Sequence, residues 1–236
     1  MSASPPAPPL QEELRQRWCT HWMFKMVGTT AFMSVFFAGY FATLKSPLFP
    51  VTTIPLTAVD RWVAFRPESI LLYVSLWIYV ALPPALLRQK RELVGYGLAA
   101  AVLGTAGLGI FLFYPTTILR PNIDWTQYPA FAFLQEIDAA GNACPSLHVA
   151  FAVFSAFALD RVLRKAGGGR VLRFVNVAWC VGILYSTLAT KQHVAIDLAA
   201  GTVLGFAAVA LHRRIEQLPV FTGKTRPAGA SCTRAA

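Results

Sequence analysis

The chain has 236 residues, 56% of them hydrophobic and 14% charged, with a formal net charge of +10. So apolar a composition excludes an ordinary soluble domain of this length. Its cations sit in short segments between apolar stretches rather than along one groove, which argues against a nucleic-acid partner and for anionic headgroups at a bilayer surface.

The chain opens with a Pro-rich stretch, Ser4-Pro5-Pro6-Ala7-Pro8-Pro9, followed by Leu10–Lys25, where acids precede bases as a short surface helix favours. Glu12, Glu13 and several cations leave no cleavable signal peptide evident, so residues 1–25 are expected to stay cytoplasmic. Six stretches approach or reach spanning length: Met26–Leu44, Ile70–Leu87, Leu93–Tyr114, Pro145–Leu163, Phe174–Thr190 and His193–Leu211. Between the first two, Pro47, Pro50, Pro55 and Pro67 punctuate a loop in which Ala58, Val59, Trp62 and Val63 share one helical face opposite Asp60 and Arg61, the pattern of an interfacial helix. Pro83-Pro84 is expected to break or bend the end of the second span. Gly95, Gly97, Gly104, Gly107 and Gly109 offer the third span close contact with a neighbour. The loop from Pro115 to Ala143 carries Arg120, Asp124, Trp125, Tyr128, Glu136 and Asp138, with the two aromatics expected in the interfacial belt. Gly167-Gly168-Gly169 marks a turn, and residues 212–236 read as a basic, disordered tail. No internal repeat or second domain is evident, so residues 26–211 form one membrane domain.

Lys and Arg are retained on the cytoplasmic side during insertion. With the N-terminus inside, all of the 21 cations except Lys45, Arg61, Arg66, Arg120 and Lys191 fall on inner segments. The expected fold is therefore an all-α integral membrane protein, a six-transmembrane-helix bundle with both termini cytoplasmic. Cys19, Cys144, Cys180 and Cys232 show no paired spacing, so neither a disulfide framework nor a zinc site is implied.

That topology, assigned from cations alone, places Arg120, Ser146, His148, Lys191, His193 and Asp197 on the outer face. An acid in an apolar helix costs roughly 2.5–3.5 kcal/mol on insertion scales, and His193, one turn before Asp197, is its natural partner. The carboxylate would fix the imidazole tautomer and stabilise the cation formed when the ring attacks phosphorus. His148 would protonate the departing alkoxide and then act as base toward water or another alcohol. Pro145 suits the first turn of a helix, which would leave the amides of Ser146, Leu147 and His148 facing outward with the Ser146 hydroxyl as an anion cradle. Arg120 adds a fork of donors matched to phosphate oxygens, and Lys191 lies close enough in sequence to contribute a charge.

Arg120-Pro121, Pro145-Ser146-Leu147-His148 and His193-Val194-Ala195-Ile196-Asp197 together resemble the three signature motifs of the phosphatidic acid phosphatase type 2 superfamily, relatives of the vanadium haloperoxidases. The resemblance covers roughly residues 70–211. It implies His193 as nucleophile, Asp197 as its orienting partner, His148 as acid, and Arg120 and Ser146 as phosphate ligands, with neither metal nor cofactor. Three positions depart from the pattern: Phe113 stands where the first motif usually has Lys, Leu147 where the second has Gly, and Thr187 where the third has Arg after Ser186. Two expected cations are thus missing, a loss similar to the branch containing inositol phosphorylceramide synthases and better matched to a singly charged phosphodiester than to a monoester.

The expected function is a lipid phosphate phosphatase or phosphotransferase working through a phosphohistidine on the extracytoplasmic face, with a membrane lipid phosphate as substrate. A lipid headgroup transferase of the same chemistry and a non-catalytic protein that binds or moves anionic lipids remain as alternatives. The sequence leaves the oligomeric state open.

Overall fold

The computed structural model describes residues 8–45, 47–119, 121–131 and 142–222. A surface helix α1 (Leu10–Cys19) precedes α2 (Trp22–Lys45), the short α3 (Ala58–Trp62), α4 (Ile70–Val74), α5 (Leu76–Leu86) and α6 (Lys90–Phe113). The chain continues through α7 (Leu147–Lys165), α8 (Arg170–Ala189), α9 (Ala195–Gln217) and the single turn α10 (Pro219–Thr222). Pro83 and Pro84 lie in the last turns of α5, which stops at Leu86 with Leu87 extended, because a proline ring removes the amide that would continue the ladder.

Five segments are long and apolar enough to cross a membrane: Trp22–Leu44, Pro67–Leu86, Lys90–Phe113, Arg170–Ala189 and Ala195–Gln217. The fourth expected crossing is a 19-residue helix, α7, but it is not among the five. Its last two turns carry Asp160, Arg161, Arg164 and Lys165, which lower its apolarity. It is also the helix most enclosed by protein, with α5, α6, α8 and α9 packed around it. A helix covered by its neighbours has less need of an uninterrupted apolar surface.

Small residues decide how closely α9 approaches α7. A Cβ at Gly205 would lie 2.8 Å from the Ala150 carbonyl oxygen and 2.8 Å from Val153 Cβ, and one at Gly201 would collide with the Ser146 carbonyl. Four residues apart, these two glycines form one flat strip on α9, the arrangement that lets helix backbones touch. On α6, Gly104 and Gly107 likewise meet Phe36 and Leu147, and Gly95 meets Ile215, as the glycine content suggested. Gly97 and Gly109 do not: nothing lies within 4 Å of a Cβ at either position. Across the bundle, the Tyr79 hydroxyl donates to Asn176 Oδ1 at 2.7 Å while Asn176 Nδ2 donates to the Ala156 carbonyl at 3.0 Å. These bonds join α5, α8 and α7 through satisfied buried polar groups.

The purely helical expectation needs one amendment. Thr52–Ile54 (β1) and Thr116–Ile118 (β2) form a parallel pair with Thr52 opposite Thr116, and Asn142 bridges to Thr116. Each strand is a β-branched Thr-Thr-Ile beside a proline, a composition that favours extended backbone. The pair ties together the connections after α2, after α6 and before α7. The expected interfacial helix is present as α3, with Trp62 93% exposed. Trp125 and Tyr128 gather around Phe65, with ring centroids 5.7 and 5.3 Å from it.

Ion pairs collect at the end of the bundle where α7 and α9 finish. Lys165 meets Glu92 at 2.6 Å, Arg173 meets Asp160 at 2.6 Å, and Arg161 pairs with Glu216. Helices α7 and α9 both start at the opposite end.

Replacing Gly205 by leucine should destabilise the protein by about 1–3 kcal/mol or displace α9, because the added carbons meet backbone. Gly109→Leu on α6 meets open space and should leave the midpoint almost unchanged. Thermal unfolding of the two variants in detergent checks the contrast.

Candidate functional site

At the end of α8 the chain reverses within four residues. Lys191 takes a left-handed conformation with φ 57°, and the amides of Gln192 and His193 both donate to the Thr187 carbonyl, at 3.2 and 3.1 Å. The turn delivers His193 to the head of α9, where its Nδ1 lies 2.8 Å from Asp197 Oδ2. The other carboxylate oxygen, Oδ1, accepts the Val194 amide at 2.8 Å, so Asp197 caps its own helix while holding the ring. Asp197 is completely buried and the His193 side chain is 13% exposed. A carboxylate can only accept, which puts a proton on Nδ1 and the ring's lone pair on Nε2.

Helix α7 starts two residues later than Pro145 suggested. Ser146 is its N-cap, with Oγ accepting the Val149 amide at 3.2 Å, and Pro145 lies outside the helix. The outward cradle is correspondingly smaller than expected: the Ser146 amide donates to the Asp197 carbonyl at 3.0 Å, and the residue is completely buried. Its hydroxyl thus caps α7, and its amide joins the two helix starts to each other. The Leu147 side chain belongs to the core beside Gly107, so what Leu147 offers a ligand is its backbone amide, which like that of His148 falls in a first turn that supplies no helical partner. The His148 ring stacks on Tyr73, centroids 4.1 Å apart and planes 13° from parallel, and its Nε2 lies 3.1 Å from the Tyr73 carbonyl. A carbonyl also only accepts, so Nε2 carries a proton, and a second proton on the cationic ring sits on Nδ1. Beside this junction, burial first and the Asp197 carboxylate second push the Cys144 thiol above its ordinary value, which disfavours a reactive thiolate there.

His148 and His193 line the same cavity, of about 620 Å³, together with Lys191 and Gln192. Lys191 is held at its rim: its ammonium donates to the Asp60 carbonyl at 2.9 Å and to the Val63 carbonyl. Burial lowers its proton affinity, with Asp60 acting in the opposite sense. Arg120 lies outside the described residues, as do Glu136 and Asp138. At the two positions where an expected cation is missing, Phe113 is exposed beside Phe49, while Thr187 is fully buried and its hydroxyl donates to the Leu184 carbonyl. Among the described residues, no three His, Cys, Asp or Glu side chains converge to hold a metal ion.

Two residues of the site were not singled out as ligands or supports from sequence. Gln192 is 6% exposed, lines the cavity next to His193, and its amide nitrogen has no partner among the described residues. Asp60 fastens α3 onto the histidine turn: Oδ1 accepts the Ala195 amide at 2.7 Å while Oδ2 accepts the Thr57 amide and hydroxyl, both at 2.7 Å. Burial raises its pKa, but these bonds and the Lys191 charge outweigh that and hold the carboxyl below the usual carboxylate range. The Arg66 amide adds a further tie, donating to the Ala189 carbonyl at 2.9 Å. An acid opposite the apolar face of a short helix was the available signal for Asp60; Gln192 carried none beyond its adjacency to His193.

Comparison with known proteins gives one positive result: the family model described as the PAP2 superfamily matches residues 93–219, more than half of the chain. That interval contains Ser146, His148, Lys191, Gln192, His193 and Asp197. No curated protein and no solved structure matches.

Because Asp60 holds the Ala195 amide, Asp60→Asn should loosen the turn that presents His193. Misplacement of a reacting group by about 1 Å can cost on the order of a hundredfold in rate, so a fall in kcat of roughly ten- to a hundredfold is expected wherever activity is assayed. The native pKa is depressed, so the carboxylate's contribution to stability is complete above the ordinary carboxylate range and disappears as pH falls through the depressed value. The difference in thermal midpoint between wild type and Asp60→Asn should therefore be full at neutral pH and shrink in acid.

Proposed function

The chain belongs to the PAP2 superfamily, and from that membership and the geometry of the two histidines we propose that it is a multi-pass membrane phosphatase or phosphotransferase that cleaves lipid phosphate esters through a phosphohistidine. One observation carries the reading: a histidine held by a fully buried carboxylate at 2.8 Å shares a cavity with a second histidine from another helix. His193 Nε2 attacks phosphorus as the bond from phosphorus to the alcohol oxygen breaks. The departing oxygen takes the proton from Nδ1 of cationic His148, leaving that ring neutral. Asp197 compensates the charge that grows on His193. In the second half-reaction His148 Nδ1 accepts a proton from water or an alcohol, whose oxygen displaces His193 from phosphorus. No metal or cofactor enters the scheme.

The phosphate is bound by neutral and charged donors together: the Leu147 and His148 amides, the Gln192 side chain and Arg120, with Lys191 supplying charge from the rim and Ser146 holding the first turn in place. The site faces the extracytoplasmic side, with α7 as a sixth crossing enclosed by the other helices and both termini cytoplasmic. This assignment is supported by the distribution of Lys and Arg and by the ion pairs at the end of α7 opposite His148.

A second reading, transfer of a headgroup from a phosphodiester lipid to another alcohol, is favoured by the neutral lining. Thr187 replaces an expected cation and Gln192 contributes an uncharged amide, which suits a phosphate carrying one charge.

His193→Ala should abolish turnover of a lipid phosphate in detergent micelles, a loss on the order of 10⁴-fold or more. Asp197→Asn, which misassigns the tautomer, should cost about 10⁴-fold. Gln192→Leu should raise KM more than it lowers kcat. Retention of wild-type turnover by His193→Ala would overturn the proposal. Tight lipid binding without turnover in the unmodified protein would favour the non-catalytic alternative. Mass analysis of the products, with and without inositol, separates hydrolysis from transfer.

A further inference from the structure

The cavity that holds the two histidines extends far beyond them. From His148, Lys191, Gln192 and His193 it continues between α2 and the faces of α5, α6 and α7 to Phe24, Lys25, Pro84 and Leu93 at the other end of the bundle. Its walls are aromatic, with Phe32, Phe36, Phe37, Trp77, Phe111 and Phe151 among them. Seventeen residues of α2 separate Phe24 from Phe41, a rise of about 26 Å, close to the roughly 30 Å of a bilayer's hydrocarbon layer.

The deep end has a polar floor: the Lys25 ammonium donates to the Arg17 and Ala85 carbonyls, both at 2.6 Å, and so closes the space with the ends of α1 and α5.

We infer that this cavity is a channel for a hydrocarbon tail of the substrate, and that Gly97 sets the depth to which the tail reaches. The inference rests on the proposed lipid phosphate chemistry, because the occupant is the tail of the molecule whose phosphate lies at His148 and His193. Continuity decides the occupant, since phosphate site and apolar channel are one space. Gly97 lies on the channel wall, where a Cβ meets nothing within 4 Å. Along α6 it is 14 residues, or about 21 Å, below Phe111 at the histidine end. A large side chain at 97 therefore grows into the channel rather than into packed protein. Gly109, on the same helix, is equally open but does not line the channel.

The test pairs Gly97→Phe with Gly109→Phe and assays hexyl, dodecyl and eicosyl phosphate in micelles of one detergent. In Gly97→Phe, KM for eicosyl phosphate should rise by about tenfold or more while hexyl phosphate stays within about twofold, because each methylene denied burial weakens binding several-fold. Gly109→Phe should match the wild type for all three. Equal behaviour of the two variants would overturn the channel and leave the tail in the lipid phase. Should no alkyl phosphate be turned over by the wild type, hydrolysis of lipid phosphomonoesters fails on its own. The channel is then decided by calorimetric binding of the same phosphates to His193→Ala with and without Gly97→Phe: a loss of affinity confined to the long chain supports it, and none rejects it.

Discussion

Helix α9 can touch α7 because Gly201 and Gly205 have no side chains, and the distance between the two proposed catalytic groups follows from that contact. With the backbones this close, the Ser146 amide reaches the Asp197 carbonyl and the two helix starts become one unit. His148 lies two residues beyond Ser146, and His193 is held by Asp197. Any change that widens the helix pair separates the rings, whatever happens to the histidines themselves. Close backbone contact is the main source of helix association in lipid, where burying apolar side chains brings no gain.

An outer layer then fixes what the helix pair leaves loose. A short turn with a lysine at positive φ would fray if its neighbours did not determine it, since such backbone is disfavoured for a residue with a Cβ. Asp60, the Lys191 ammonium and the Arg66 amide secure it from three sides. On the α7 side, the strand pair does the same for residues 142–144, with Thr116 receiving Ala143 through its carbonyl and Cys144 through its hydroxyl. Helix α3 and the two strands, small as they are, hold the turn that carries His193 against a rigid frame, as the proposed chemistry requires.

The motif residues were legible because each carries its own chemistry. An acid one turn from a histidine in an apolar helix declares a pair, and a Ser before an apolar run declares a cap. The helices were legible from hydropathy, but the charges at the end of α7 blur the count of crossings, since burial by protein and burial by lipid leave similar patterns. Tertiary relations were hidden. The start of α7 at Leu147 depends on Ser146 having Asp197 as a neighbour, and the strand pairing depends on segments more than 60 residues apart meeting. Gly97 looked like a contact glycine until its surroundings proved empty, and Gln192 has interest only because nothing among the described residues satisfies its buried amide.

Chain order gives the helix pair a temporal meaning. The segment with His148 is synthesised well before the segment with His193, and the glycine strip that draws them together lies on the later one. A nascent chain that has released α7 but not α9 holds one imidazole without its counterpart and has no carboxylate behind it. On the proposed chemistry, competence is thereby withheld until the final helix docks, so loss of that helix leaves a fragment with half a site.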